Sequence, residues 1–421
     1  MYIHVQEEYM LEKHKEIIRA TVPVLQENGE AITRVFYQQL FEAHPELLNL
    51  FNPVNQRDGG QARSLAASIL AYAAHIDQLD QLGGMVNLIA HKHVSLQVLP
   101  EHYPVVGEHL LKAIRTVLGE AATPEILEAW AAAYGQLAQI MIDKEEGIYA
   151  KGAASDGGWR GYKPFTVLRK ERESEGICSF YLAPSDGKPL PLFKPGQYLG
   201  VKARVPGSQY DQIRQYSLSH LPTREFYRIS VKRETAPGFA EGTPHGQISN
   251  HLHDDVNVGD IVQVSMPAGN FVLNELRTDP LVLLSGGVGI TPAICMLQHL
   301  AQEGKRPVIF VHATAGRDQH AFADEMRDLE KNRNNVKSVV YYEKTKPEDI
   351  QGLHYDEIGR LTLESLRPHL PAGEAEFYYC GPLGFMSAVE GILDHLGVPL
   401  HRRYSEVFAP DPSFATAIAR A

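Results

Sequence analysis

Cysteine is scarce in this sequence of 421 residues, which contains only Cys178, Cys295 and Cys380. Three cysteines cannot form a disulfide framework or a four-thiolate metal site, so we expect a protein of a reducing compartment, the cytoplasm. Apolar runs of about 18 residues, the length that spans a membrane, are also missing. The N-terminal segment has no apolar core of signal-peptide length, and we therefore expect neither a membrane-spanning segment nor export.

An excess of basic side chains is missing as well. The 40 Lys and Arg face 51 Asp and Glu, and the resulting net charge of −11 excludes the basic surface of a general nucleic-acid-binding protein. A hydrophobic content of 44% with 22% charged residues is ordinary for a globular protein and too apolar for a disordered one. At about 150 residues per domain, the length indicates two to three domains.

Glycine and proline are unevenly distributed along the chain. Residues 1–150 contain 9 Gly and 6 Pro, whereas the other 271 residues contain 26 Gly and 20 Pro. The acidic excess follows the same division, with a net charge of −9 in the first part and −2 in the second. Few helix breakers in front and many behind predict an all-helical domain over residues 1–150, followed by a region rich in strands and turns.

Apolar residues in the front domain recur at intervals of three and four, which predicts several helices. The expected breaks between helices are Pro23, Pro45, Pro53, Gly83-Gly84, Pro100 and Gly119. The last helix has a clear start, because Thr123 is a good N-cap and Pro124 suits the first helical position. The small residues at 151–158 predict a flexible linker.

The rear of the chain shows two successive strand patterns. Six short β-rich segments within residues 159–275 predict an antiparallel barrel or sandwich. Over residues 276–421, continuous apolar strands alternate with helical stretches, which predicts a parallel sheet covered by helices on both faces. The expected fold class is therefore multidomain: an all-α domain, an antiparallel β-domain and an α/β domain.

A glycine-rich turn joins the first strand and helix of the α/β region. Glycines let the backbone approach a pyrophosphate, and the helix start offers N–H groups, although an ordinary strand–helix turn looks the same. Its residues are Gly286, Gly287, Val288, Gly289, Ile290, Thr291 and Pro292. Upstream lies Arg214-Gln215-Tyr216-Ser217, and downstream lie Cys380-Gly381-Pro382 and Glu406-Val407-Phe408. In this order the set resembles the ferredoxin–NADP reductase family, in which an FAD-binding barrel precedes a nicotinamide-binding domain.

The resemblance to that reductase family implies roles for single residues. Arg214 would bind a flavin phosphate, Tyr216 would lie against the isoalloxazine ring, and Ser217 would hydrogen-bond near its reactive nitrogen. The other implied FAD contacts are Gln197, Tyr198, Gln215, Gly246, Gln247, Ile248 and Ser249. The turn at Cys380 would lie beside the nicotinamide, and Phe408 would lie near the flavin face, with Glu406 and Val407 beside it.

One histidine of the front domain, His93, continues an apolar helical stripe. That stripe consists of Leu82, Met85, Val86, Ile89, His93 and Leu96, whereas His91 falls on another face. A haem needs one strong axial ligand on an apolar helix face, which makes His93 the candidate. On the last helix Glu145 shares a stripe with Trp130 and Met141, so it is either a buried carboxylate that needs a partner or the point where the stripe reaches solvent.

Several segments of the front domain together resemble the globin domain of flavohaemoglobins. They are residues 35–41, 45–47, 51–52, 56–57, 91–93 and 107–111. The likeness extends over residues 9–410 and implies haem b, FAD, and NADH or NADPH as cofactors. The implied haem-site residues are His93 as proximal iron ligand, Glu145 and Tyr103 at its imidazole, Tyr37, Gln61 and Leu65 on the distal side, and Phe51 on the porphyrin. Lys92 is either a contact on the flavin side or a solvated lysine.

The activity implied by this resemblance is nitric oxide dioxygenation. The nicotinamide cofactor would reduce FAD, FAD would pass single electrons to the haem iron, and oxygen-bound ferrous haem would convert nitric oxide to nitrate. A carboxylate on the proximal imidazole and a distal tyrosine favour oxygen activation over reversible carriage. Two alternatives are an NAD(P)H-dependent flavin reductase for another acceptor and a haem-based sensor of oxygen or nitric oxide. Arg317 leaves the choice of nicotinamide open; we expect a monomer, and the resemblance allows a lipid in the distal pocket.

Overall fold

The computed structural model describes residues 10–51, 59–234 and 246–408. These residues form two compact units. The first comprises the described residues up to Lys151 together with Pro206–Ile213, and it is built from helices. The second comprises the described parts of Gly152–Val205 and Arg214–Phe408, and it contains two six-stranded sheets. None of the described helices combines the length and apolar character needed to cross a membrane.

Five long helices make up the first unit. They are α1 (Glu12–Ala43), α2 (Gly60–Ala74), α3 (Gly83–Leu96), α4 (His102–Leu118) and α5 (Pro124–Ala154), with short 3₁₀ turns at Pro45–Asn49, Leu79–Leu82 and Gly119–Ala121. Helix α1 packs against α2 and α4. Its buried face carries Ile18, Phe36 and Leu40, which join Trp130 of α5 in one apolar core. The predicted all-helical character of this region is confirmed.

Most predicted breaks coincide with helix ends, but Pro23 does not, and Pro53 lies outside the described residues. Helix α1 continues through Pro23, although proline removes one backbone hydrogen bond. The side chains on either side of it, Ile18 and Leu25, are buried, so their packing outweighs the local preference. The predicted break at Pro23 is therefore wrong.

The start of helix α5 agrees with the sequence pattern, whereas its end does not. It begins at Pro124 as predicted, with the N–H of Ile126 donating to Oγ1 of Thr123 at 3.4 Å. It continues to Ala154, so the first four residues of the predicted linker 151–158 are helical. Alanine is the strongest helix former, and Ala153 and Ala154 carry the helix into that segment.

The first sheet of the second unit is antiparallel. Its strands are β1 (Tyr162–Arg172), β2 (Ile177–Pro184), β3 (Tyr198–Ala203), β4 (Gln212–Ser217), β5 (Tyr227–Lys232) and β6 (Ile261–Ser265), with α6 (Gln247–Asp254) before β6. The strand order is β4-β3-β6-β1-β2-β5. A bridge between Leu218 and Ile229 joins the end of β4 to β5, the opposite edge strand. The sheet therefore closes into a barrel, one of the two forms predicted.

The second sheet is parallel, as predicted. Its strands are β7 (Leu281–Gly286), β8 (Val308–Thr314), β9 (Val336–Tyr342), β10 (Glu357–Ile358), β11 (Glu376–Cys380) and β12 (Arg403–Glu406). The order is β10-β9-β8-β7-β11-β12. Its helices are α7 (Ile290–Glu303), α8 (Ala323–Asn332), α9 (Leu363–Leu366) and α10 (Leu383–His395). Helices α7 and α8 cover one face and α10 the other, which explains the continuous apolar strands.

Two helical glycines, Gly107 and Gly135, offer a matched test of packing in the first unit. A Cβ on Gly107 would lie 2.5 Å from Cε1 of Tyr134, whereas a Cβ on Gly135 would meet nothing within 4 Å. We expect Gly135→Ala to raise the free energy of unfolding by about 0.5–1 kcal/mol, because alanine favours the helix. Gly107→Ala should lower it by about 1–3 kcal/mol, because the Tyr134 ring must move. Urea denaturation followed by circular dichroism measures both, and equal stabilisation by the two substitutions would contradict the packing.

Candidate functional site

A buried carboxylate joins three helices of the first unit. Oε1 of Glu145, on α5, lies 2.7 Å from Nδ1 of His93 in the last turn of α3. The Tyr103 hydroxyl, from the first turn of α4, donates to the same oxygen at 2.6 Å. Glu145 is only 2% exposed, so the apolar stripe does not reach solvent there. The buried carboxylate thus has two partners, as buried charge requires.

The hydrogen bonds at Glu145 determine which nitrogen of the His93 ring carries a hydrogen. Burial, reinforced by the hydrogen bond and charge of Glu145, raises the pKa of Tyr103, so its hydroxyl keeps its proton and donates. A carboxylate only accepts, and Nδ1 of His93 must therefore carry a hydrogen to bond with it. With that hydrogen on Nδ1, the ring nitrogen that can offer a lone pair is Nε2, on the side of the ring away from Glu145.

A second layer of contacts holds Tyr103 and the end of α3. The Tyr134 hydroxyl donates to the carbonyl of Tyr103 at 2.6 Å, and its ring lies over Gly107, which has no side chain to block it. The Tyr149 hydroxyl donates to the carbonyl of Val98 at 3.0 Å, just after α3. These two tyrosines were not predicted as site residues, although Tyr134 lies on the stripe of Glu145. Helical spacing shows which residues share a face, but it does not show which acceptor a hydroxyl bonds to.

On α1 a tyrosine lies in an aromatic cluster. The Tyr37 ring stacks on Phe41 with 5.8 Å between centroids, and Phe51 meets it edge-on at 5.7 Å. The hydroxyl of Tyr37 hydrogen-bonds with the Gln61 side chain. Burial raises the pKa of Tyr37, with that hydrogen bond opposing the shift, so the phenol remains a donor. Leu65, one turn beyond Gln61, packs against the same core.

In the barrel, the predicted flavin-binding residues of β4 lie next to the turn before β3. The carbonyl of Gln197 accepts the N–H of Leu218 at 2.9 Å, and Tyr198 pairs with Ala268 through both backbone groups. Burial lowers the pKa of the half-buried Arg214 guanidinium, so a phosphate would stabilise its charge. Tyr216 is half-buried and Ser217 buried, and Gln215 lies between them in the strand.

At the start of α6, the Ser249 hydroxyl is hydrogen-bonded within the protein. Gly246, Gln247, Ile248 and Ser249 open the helix as predicted. The Ser249 hydroxyl donates to the carbonyl of Gly246 at 3.0 Å and accepts the N–H of Glu234 at 3.2 Å. Because this hydroxyl is engaged within the protein, the groups suited to an anion are the backbone N–H groups of the first helical turn.

In the α/β region two turns approach each other closely. A Cβ on Gly289 would collide with the carbonyl of Cys380, and a Cβ on Gly381 would lie 3.1 Å from the nitrogen of Gly286. Helix α7 begins at Ile290, so its N-terminus opens at this contact, and Thr291 donates its hydroxyl to the carbonyl of Val288 at 3.0 Å. The pair of turns forms a backbone cradle of the kind that receives a dinucleotide.

The remaining predicted residues lie around this cradle and on α3. Cys380 pairs in register with Glu406, and burial, reinforced by the Glu406 charge, raises the pKa of its thiol, which indicates an unreactive cysteine. Val407 is partly buried against the core that holds α10, Phe408 is 47% exposed, and Lys92 is exposed on α3. Gly287 and Pro292 belong to the turn and the first turn of α7.

Three family models match successive parts of the chain. The globin family matches residues 34–141, the oxidoreductase FAD-binding domain matches residues 164–273, and the oxidoreductase NAD-binding domain matches residues 283–391. Among solved structures, the chain is similar to flavohemoglobin from Malassezia yamatoensis with bound FAD and heme, with a TM-score of 0.81, 29% identity and coverage of 95% of this chain and 100% of that one. The FAD/NAD-binding domain of nitric oxide dioxygenase from Vibrio cholerae matches 59% of this chain and 99% of its own, with a TM-score of 0.53 and 39% identity.

Curated relatives match over almost the whole length. The flavohemoprotein of Deinococcus radiodurans is 56% identical over 407 residues, which covers 96% of this chain and 98% of the relative. The flavohemoprotein of Chromobacterium violaceum is 47% identical, with coverage of 95% and 98%. With this identity over nearly the full length of both proteins, the chain belongs to the flavohemoprotein family.

Proposed function

We propose that this protein is a nitric oxide dioxygenase that uses NAD(P)H, FAD and haem b. The observation that carries the proposal is the pairing of His93 with the buried Glu145, at 2.7 Å, in a chain that also holds flavin- and nicotinamide-binding domains. Near-full-length similarity to flavohemoproteins supports it, as does the likeness of the rear of the chain to part of a protein named nitric oxide dioxygenase.

The donor groups of the chain fit these cofactors. Glu145 and Tyr103 occupy the Nδ1 side of His93, which leaves Nε2 as the lone-pair nitrogen that an axial haem ligand requires. The half-buried Arg214 fits a flavin phosphate, and the cradle of Gly286, Gly289 and Gly381 fits the backbone approach of a dinucleotide. When bound, haem supplies an oxygen-activating iron, and FAD supplies the conversion of a hydride into single electrons.

The proximal residues tune the ligand. A carboxylate that accepts from Nδ1–H gives the imidazole more imidazolate character, so His93 donates more electron density through Nε2. Burial of Glu145 shields the accepting oxygen from water, which strengthens this hydrogen bond. Electron donation of this kind favours oxygen activation, and it argues against the alternative of a simple oxygen carrier or sensor.

The distal residues supply a hydrogen bond and an apolar surround. Tyr37 keeps its proton, because burial raises its pKa, and its hydroxyl is available to stabilise negative charge that develops on a substrate oxygen. Gln61 hydrogen-bonds with that hydroxyl, while Phe51 and Leu65 are partly buried against the same apolar core. Dioxygen and nitric oxide, both small and apolar, are substrates that suit such apolar surroundings.

The reductase residues keep the roles that the family resemblance implies. Arg214, Gln215, Tyr216, Ser217, Gln197 and Tyr198 would hold the flavin, and the start of α6 would meet its pyrophosphate. The glycine turn would receive the nicotinamide dinucleotide, with Cys380, Gly381, Pro382, Glu406, Val407 and Phe408 at its reactive end. Lys92 stays a predicted contact on the flavin side.

Some finer properties stay predictions. These are a monomeric state, a cytoplasmic location, a lipid in the distal pocket, and domain boundaries at residues 150, 158 and 275. Preference between NADH and NADPH stays open, since Arg317 forms an ion pair with Asp349, with 3.8 Å between Nη1 and Oδ1.

The activity itself is tested by oxygen-dependent turnover. We expect nitric oxide to accelerate aerobic NADH oxidation by the holoenzyme and to be recovered stoichiometrically as nitrate. His93→Ala should abolish this reaction yet keep NADH-dependent reduction of an artificial dye, because the flavin site lies in the second unit. Inhibition of NADH oxidation by nitric oxide, without nitrate, would overturn the proposal and favour a sensor or a reductase for another acceptor.

A charge-specific variant tests the proximal carboxylate. Glu145→Gln keeps an oxygen acceptor for Nδ1 but removes the charge, so we expect dioxygenase turnover to fall by about tenfold or more. The iron–histidine stretching frequency in resonance Raman spectra should fall as well, at unchanged haem content. Glu146→Gln is the matched control, since the neighbouring side chain is exposed. Unchanged turnover and frequency in Glu145→Gln would show that the charge does not tune the ligand.

A hydroxyl deletion tests the distal tyrosine. Tyr37→Phe keeps the ring contacts with Phe41 and Phe51 and removes the donor, so oxygen should dissociate from the reduced protein about tenfold faster or more. Tyr72→Phe serves as control, because its hydroxyl bonds to the carbonyl of Ala133 at 2.9 Å, away from Tyr37. Stopped-flow oxygen displacement measures both rates, and equal rates in the two variants would remove Tyr37 from the proposed role.

A further inference from the structure

A row of four side chains crosses the parallel sheet just before the glycine turn. Glu406 of β12 is in register with Cys380 of β11, Cys380 with Ser285 of β7, and Ser285 with His312 of β8. Residues in register on neighbouring strands share a face of the sheet. Ser285 directly precedes Gly286, so this polar row lies at the base of the nicotinamide cradle.

His312 is bonded to the cradle through Ser285. Its Nδ1 lies 2.9 Å from Oγ of Ser285, and both residues are fully buried. The Ser285 hydroxyl also lies 3.4 Å from the carbonyl of Val311, so it can accept from a protonated Nδ1 while donating to Val311, or donate to an unprotonated Nδ1. Burial lowers the pKa of His312 to about 3, which keeps the ring neutral.

A second imidazole supports the first. The rings of His312 and His320 stack with 5.1 Å between centroids and 30° between planes. Nδ1 of His320 lies 2.9 Å from the Tyr342 hydroxyl of β9. These contacts connect Tyr342, His320, His312 and Ser285, so the orientation of the His312 ring is fixed on one side by His320 and on the other by Ser285.

Packing alone gives a poor account of His312. The same face of β8 carries Val308 and Phe310, and another apolar side chain would fill the position without burying an imidazole. Within the described part of the chain, Nε2 of neither His312 nor His320 has a hydrogen-bond partner. Removing the His312 imidazole from water costs free energy, and its one good hydrogen bond is to Ser285. This bond therefore indicates a functional role for His312 and not only a packing role.

We propose that His312 is a positioning residue for NAD(P)H. By holding Ser285, it fixes the strand end from which the glycine turn starts and so keeps Gly289 against the carbonyl of Cys380. That contact has no spare room, and a small rotation of the strand end would misplace the turn that receives the dinucleotide. The inference rests on the proposed nicotinamide site and is independent of the haem chemistry.

Two substitutions separate the hydrogen bond from the volume of the ring. His312→Leu removes the hydrogen-bond partner of Ser285, whereas His312→Asn places an amide, which can donate or accept, near the position of Nδ1. For His312→Leu we expect the KM for NADH to rise by about tenfold, because the loss of one buried hydrogen bond changes a binding constant by about that factor. The fall in kcat should be smaller. His312→Asn should recover most of the loss. Anaerobic steady-state reduction of an artificial dye by NADH in the holoenzyme measures both effects without nitric oxide or oxygen.

Two further variants complete the test. His299→Leu, on α7 with a partly exposed side chain, is the matched control and should leave KM unchanged. Ser285→Ala should raise KM as His312→Leu does, and the double variant should lose little more than either single one, because one interaction is removed in each case. If His312→Leu fails to fold, Ser285→Ala alone decides the outcome.

Several results would overturn the assignment. One is a KM within about twofold of the parent in a folded, FAD-replete His312→Leu or Ser285→Ala protein. Another is equal loss in the Leu and Asn variants with lowered thermal unfolding temperatures, which would indicate packing. Normal flavin reduction without nitrate formation would contradict the proposed dioxygenase function and leave this inference intact, so the two failures are distinguishable.

Discussion

The helical unit depends on one buried carboxylate. Removing Glu145 from water is costly, and the cost is offset because His93 and Tyr103 both donate to the same oxygen. These partners come from α3 and α4, while Glu145 belongs to α5, so a single side chain fixes three helices relative to one another. The same bonds determine which imidazole nitrogen carries the lone pair. The packing of the unit and the basicity of its candidate ligand therefore have a common cause.

The fold could be predicted where the signal is local or periodic. Continuous apolar strands indicated a sheet covered on both faces, and Thr123 with Pro124 located the start of α5, because a helix cap is defined by a few neighbouring residues. The break predicted at Pro23 was wrong because the local preference of proline competes with a buried face that extends along α1. Residues 151–154, predicted as linker, are helical for a related reason. Composition does not show where a helix that is already packed will end.

The site could be predicted only as a set of residues. Helical spacing located Glu145 on a buried stripe, but its partner His93 lies on another helix, and no pattern within one segment reveals a contact between two. The approach of Gly289 to Cys380, and the bond from His312 to Ser285, likewise join segments that are far apart in the chain. The sequence motif at the start of α6 includes Ser249 but does not show the partners of its hydroxyl. These are the N–H of Glu234 and the carbonyl of Gly246.

The two units place different groups in buried positions. Burial disfavours charge on any side chain, and a group keeps its charge only where hydrogen bonds offset the loss of water. Glu145 accepts two such bonds, one from His93 and one from Tyr103. For His312 and Cys380 burial is the largest effect, lowering the pKa of the imidazole and raising that of the thiol, so both are neutral. In the proposed function the haem side would work through a hydrogen-bonded carboxylate, whereas the nicotinamide side would work through shape: glycines that admit a backbone and neutral side chains that hold them in place.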